Sequence, residues 1–195
     1  MDRSKEIEEY IKDFRDNRKQ HKRIYLNKNQ KKLMEAFRRR LKDLLSRQIK
    51  EQEIQETGKI KYIYLMPLLS SGYTESYQMA LGISNDKLYL DESKKQVFWY
   101  PEPLHQDIEK ALEESKAILR KKFLRLEEYE LLGVKRILLQ DDRDVFEDSY
   151  TCMAQGCMDL LAWSAVYLED EILFLYGNYM DKLKIVWHSG GKDNG

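Results

Sequence analysis

The stretch GKIKYIYLM, residues 58–66, decides how the chain is to be read. Gly58 is the first Gly or Pro in the chain, and the apolar period changes across it. After it, Ile60, Tyr62, Tyr64 and Met66 alternate with Lys59, Lys61, Ile63 and Leu65. A period of two with β-forming residues in both positions predicts a strand. Before it, apolar residues recur at helical spacing. The boundary predicts an N-terminal helical arm over 1–57 and an α+β globular domain over 58–188.

Upstream, Ile7, Tyr10, Ile11 and Phe14 form the i, i+3, i+4, i+7 stripe of an amphipathic helix, which the polar run Arg18–Arg23 is expected to end. Asn27 followed by Gln30 resembles a capping box for a second helix. That helix carries Leu33, Met34, Phe37, Leu41, Leu44 and Leu45 on one side. Of these, Met34, Phe37, Leu41 and Leu44 have the 3-4 spacing of a helix-pairing stripe, so they are the candidate interaction residues. The arm is predicted to be a helical hairpin packing along part of its length.

Downstream, turns at Ser70-Ser71-Gly72, Ser84-Asn85-Asp86 and Asp91–Lys95 separate strands at 60–66, 73–81, 87–90 and 96–100. Turns this short join antiparallel neighbours, which predicts a four-stranded antiparallel meander. Pro101-Glu102-Pro103 opens a helix with the stripe Leu104, Ile108, Ala111, Leu112, Leu119. Residues 126–140 read as helix, although Val134–Leu139 also suits a strand. Asp141–Asp144 reads as a break that places acids at the start of a buried helix over Phe146–Leu168. Gly156 within that helix marks a close approach by another element. Strands at 172–176 and 183–187 form a C-terminal β-hairpin, and the Gly-rich tail 189–195 is expected to be disordered. The fold class is therefore α+β, with helices packed on one face of the sheet.

Charge is unevenly distributed. The whole chain balances at zero, yet residues 1–50 hold 17 Lys and Arg against 8 Asp and Glu, and the remainder holds 17 against 26. Lys31, Lys32, Arg38, Arg39, Arg40, Lys42 and Arg47 are the candidate contacts for an anion or a nucleic-acid backbone. Consecutive residues on a helix diverge, so Arg38-Arg39-Arg40 spans a wide sector and not a line. The alternative for these cations is a solvated face that answers the acidic body in the same chain or in a neighbour.

Other constellations carry little chemistry. No phosphate-binding Gly motif occurs. The acids Asp141, Asp142, Asp144, Glu147 and Asp148 lack the Gly that a Ca²⁺ loop needs at its turn, and no metal is expected. His21, His105 and His188 have no second ligand or catalytic acid at a recognisable spacing. Ser70-Ser71-Gly72 is explained by turn chemistry. Tyr62, Tyr64, Tyr77, Tyr89, Phe98, Trp99 and Tyr100 could stack on bases, but the acidic balance after residue 50 favours packing. Cys152 and Cys157 would diverge on one helix and suit neither a disulfide nor a shared metal. A charged start with no signal-peptide pattern, and no apolar run of spanning length, predict a cytoplasmic location. No cofactor is expected. The function expected is non-enzymatic: protein–protein interaction, with self-association as a homodimer. The alternatives are nucleic-acid binding through the basic helices, and an enzyme whose residues come from several elements.

Overall fold

The computed structural model describes residues 3–54, 58–68, 70, 74–178 and 183–190. Helices α1 (Arg3–Tyr10), α2 (Lys12–Lys28) and α3 (Gln30–Glu53) precede strands β1 (Ile60–Pro67), β2 (Met79–Ser84) and β3 (Lys95–Trp99). Then come α4 (Glu102–His105), α5 (Ile108–Leu119), α6 (Glu128–Gln155) and α7 (Met158–Trp163). Strands β4 (Leu168–Tyr176) and β5 (Lys184–His188) complete an α+β chain. Its contacts divide into two compact units: unit 1 is Met1–Asn29 with Glu102–Phe146, and unit 2 is Gln30–Pro101 with Glu147–Gly195. The charge asymmetry along the chain vanishes in this division. Unit 1 holds 18 basic and 17 acidic side chains, and unit 2 holds 16 and 17.

Unit 2 contains the sheet, whose order is β3-β2-β1-β4-β5. β1–β2, β2–β3 and β4–β5 are antiparallel, whereas β4 lies parallel to β1. The four-stranded meander is therefore corrected to three strands. The segment expected as its third strand contains a 3-10 turn, Leu88–Leu90. The carboxylate of Asp91 organises that turn by accepting hydrogen bonds from Ser84 Oγ (2.8 Å), Asn85 N (2.9 Å), Ser93 N (2.8 Å) and Ser93 Oγ (2.6 Å). Local polar chemistry of this kind overrides alternation over so short a stretch. The second strand also shifts, to residues 79–84. Glu75 (φ 56°) and Tyr77 (φ 46°) break extended backbone before it, and the strand itself is buried throughout. The C-terminal hairpin is present.

Helix α3 lays Leu33, Phe37, Leu41, Leu44 and Leu45 into the core of unit 2. Phe37 packs against Trp99 and edge-on against Tyr150, with ring centroids 6.3 and 5.8 Å apart. On the sheet face carrying Tyr64, Met66 and Leu175, the packing partners are Tyr62, Leu88, Tyr89, Leu173 and Leu183. Here Tyr64 faces Gly82 across β1–β2, and its ring fills the space a Cβ on Gly82 would take. Gly156 is likewise crowded by Met34 of α3, the close approach expected there.

In the helical segments the boundaries differ from expectation. α2 runs without interruption through Arg18–Arg23, and α3 begins at Gln30. α6 continues through Asp141–Asp144, so those acids lie inside a helix and not at its positive end. Residues 126–127 precede α6, and the rest of the 126–140 segment is helical. The helix expected to reach Leu168 ends at Gln155, with α7 following separately and Leu168 opening β4. Residues 55–57 at the end of the expected arm lie outside the described residues, as do Ser71, Gly72 and Tyr73 and tail residues 191–195.

Gly82→Val is expected to lower the unfolding free energy by about 1–3 kcal/mol by overpacking against Tyr64. Urea denaturation with an unchanged m-value is the measurement.

Candidate functional site

Two places gather chemically capable side chains, one in each unit. In unit 1, Arg15, Arg18 and Lys22 recur at i, i+3 and i+7 along α2 and so share a face. Opposite them stand acids from α6 and from the turn between α4 and α5. Arg15 grips Asp141 with two bonds of 2.8 and 2.9 Å. Arg18 reaches both carboxylate oxygens of Asp142, at 2.7 and 3.0 Å. Lys22 donates to the Leu104 carbonyl (2.7 Å) and to Asp107, and stands 3.8 Å from Asp142. His105 Nδ1 lies 3.4 Å from Asp142.

Asp142 is wholly buried, and Arg18, Lys22 and His105 nearly so. Burial pushes the Asp142 carboxyl up, but hydrogen bonds from His105 and Arg18 and the charges of Lys22 and Arg18 outweigh it and hold it below its ordinary value of 3.8. Burial likewise disfavours the Arg18 cation, and the Asp142 bond and charge reverse that and leave it raised. For His105 burial wins over the pull of Asp142, so its imidazole titrates below the ordinary 6.5. Beside this cluster lies a cleft of about 530 Å³, walled by one face of α2 from Phe14 to Tyr25 and by the first turns of α5.

In unit 2 the three consecutive arginines part company. Arg38 turns to α7, where it makes bonds of 2.6 and 2.7 Å to Asp159 and 2.6 Å to the Gly156 carbonyl. That pairing holds the Asp159 carboxyl down at about 2. Arg40 lies over the Trp99 ring, 5.5 Å from its centroid. Arg39 stays in solvent, as do Lys31, Lys32, Lys42 and Arg47. The proposed anion set is thus divided: five members are exposed at the surface, while Arg38 and Arg40 lie against Asp159 and the Trp99 ring. The proposed pairing stripe has a different fate. Phe37, Leu41 and Leu44 are fully buried and Met34 is half-buried over Gly156. That face packs within the chain.

The remaining candidates are dispersed. His21 is exposed on the cleft wall, and His188 stands 2.9 Å from Glu171. Cys152 is exposed on α6. Cys157 is buried and burial pushes its thiol up to about 12, which removes it as a nucleophile. Among the described residues no group of three or more His, Cys, Asp or Glu is placed to hold a metal ion, and no helix is long and apolar enough to cross a membrane.

No family model matches the chain, and neither a curated protein nor a solved structure matches it.

The unit 1 cluster makes acid the destabilising direction. Below pH 6.5 His105 binds a proton in the unfolded chain before it does so in the native one, so stability falls as pH drops through that window. Asp142 contributes stability above pH 3.8 that is lost as pH falls through its lower native value. His105→Gln is expected to flatten the fall in urea-denaturation stability between about pH 7 and 5. An unchanged slope contradicts the assignment. Asp142→Asn leaves the buried Arg18 cation without its carboxylate partner and is expected to cost about 3–5 kcal/mol.

Proposed function

We propose that this chain is a non-catalytic protein that works through protein–protein contact and self-associates as a homodimer, by a surface at one end of unit 2. Trp163 carries the reading. It is the last residue of α7 and is 89% exposed, an unusual position for the side chain with the largest apolar area. Four residues further along the chain Tyr167 is 64% exposed, and Ile54, just past the end of α3, is 62% exposed. Gln52 draws the two ends together: its side chain donates to the carbonyls of Tyr167 (3.0 Å) and Gly58 (2.9 Å) and accepts from Tyr167 N (2.7 Å). Ile54 follows Gln52 by two residues, and Trp163 precedes Tyr167 by four. Single exposed apolar side chains are ordinary surface, whereas large ones gathered at one end favour a partner. Tryptophan and tyrosine are also the residues that anchor interfaces. A two-fold axis through such a patch buries both copies of it.

Sedimentation velocity on the full chain at micromolar concentration tests this reading. The dimer is expected for the native sequence, and a monomer with unchanged melting temperature for Trp163→Glu combined with Tyr167→Glu. A native chain that sediments as a monomer ends the homodimer proposal.

One observation favours a second reading, nucleic-acid binding. Lys31, Lys32, Arg39, Lys42 and Lys50 share the solvent face of α3 with Glu35, Asp43 and Glu53 as its acids, the cations spanning about 28 Å of helix. Anisotropy with a labelled duplex is expected to show affinity falling steeply with salt, and Arg39→Glu with Lys42→Glu is expected to reduce that slope by about 2. No binding at about 50 mM salt disposes of it.

A further inference from the structure

The cleft of unit 1 is independent of the surfaces just described, and its construction suits a ligand more than a partner chain. We infer that it binds a small amphiphilic anion, an apolar or aromatic body carrying one acidic head group. Its volume, about 530 Å³, falls in the range of small-molecule sites. Phe14, Tyr25 and Ala111 give it apolar wall.

Two features ask for negative charge at the inner end. The first is Arg18, which lines the cleft and is 7% exposed. Its terminal nitrogens are spent on Asp142, but its Nε is buried with no hydrogen-bond partner among the described residues. A buried donor left unmade is costly, and an acceptor from a ligand would complete it. The second is the start of α5. Asp107 stands at the N-cap position, yet its side chain makes no cap hydrogen bond, being drawn to Lys22 instead. The first N–H groups of a 12-residue helix are therefore not capped by that carboxylate, and they begin beside the cleft, which runs along the side of α5 from Asp107 to Glu114.

The acids on the wall do not cancel this. Asp107 is neutralised by Lys22, and Glu114 one turn further along is offset by Lys110 at the rim. What remains is an apolar groove with unmatched donors at one end. Such a site orders a ligand lengthwise, head group toward Arg18 and α5, body along Phe14 and Tyr25.

Titration of the full chain with 1-anilinonaphthalene-8-sulfonate tests the inference, with N-phenyl-1-naphthylamine as the uncharged counterpart. One saturable site per chain is expected, with the sulfonate bound at least about tenfold more tightly than the neutral probe. Asn17 and Lys110 are exposed rim residues whose replacement leaves the buried cluster intact. Asn17→Trp, which fills the groove, and Lys110→Glu, which adds like charge, are each expected to weaken the sulfonate at least threefold with no change in melting temperature. Displacement by benzoate identifies a carboxylate head group and displacement by phenyl phosphate a phosphate one. Failure of both competitors, equal affinity for the neutral probe, or wild-type binding by both variants overturns the inference.

Discussion

A carboxylate shut away from water must be matched by positive charge, and Asp142 imposes that condition on the whole of unit 1. It is met by the charges of Arg18 and Lys22 from α2, with a hydrogen bond from the neutral imidazole of His105 on α4. Each of those helices is therefore fixed in rotation as well as position, because a turn of either would leave buried charge alone. The surrounding pairs Arg15–Asp141 and Lys135–Glu109 extend the same matching toward solvent, where each contributes less. A buried network of this kind adds little net stability compared with an apolar core of the same shape. Its effect is selectivity: there is one arrangement of α2, α4 and α6 in which every charge has a counterpart.

Much of the fold was legible because periodicity is a direct consequence of backbone geometry. The switch at Gly58, the apolar stripe of α3 and the C-terminal hairpin all follow from side chains recurring at 3.6 or 2 residues. What periodicity lacks is information about neighbours. Nothing in β4 announces that it lies parallel to β1, since the pairing crosses more than a hundred residues of chain. The 3-10 turn at Leu88 was hidden for a different reason. It depends on four hydrogen bonds converging on Asp91, and a side-chain acceptor of that kind leaves no periodic trace.

The candidate sites were legible in composition and opaque in arrangement. The cationic surplus before residue 50 and the acidic run at 141–144 are both plain in the sequence. The cations had two explanations, an external anion or the acidic body of the same chain, and the acids were given to a helix dipole; within unit 1, Arg15 and Arg18 answer Asp141 and Asp142. The spacing of Arg15, Arg18 and Lys22 was the available signal. Arg38, Arg39 and Arg40 show the complementary case, in which helical rotation alone sent adjacent residues to an ion pair, to solvent and to an indole ring. The stripe Phe37, Leu41, Leu44 has the spacing expected of a helix-pairing surface, and the core of its own unit takes it up instead.

Each unit is assembled from two separated stretches of chain, residues 1–29 with 102–146 and residues 30–101 with 147–195. On a ribosome the first helices emerge long before the acids that complete their charge matching. Arg15, Arg18 and Lys22 then wait through more than a hundred residues of synthesis for Asp141 and Asp142. β1 waits in the same way for β4. Neither unit can be finished before the other has begun, so the nascent chain holds two incomplete cores at once. No single cut in the gene releases either unit free of residues that belong to the other.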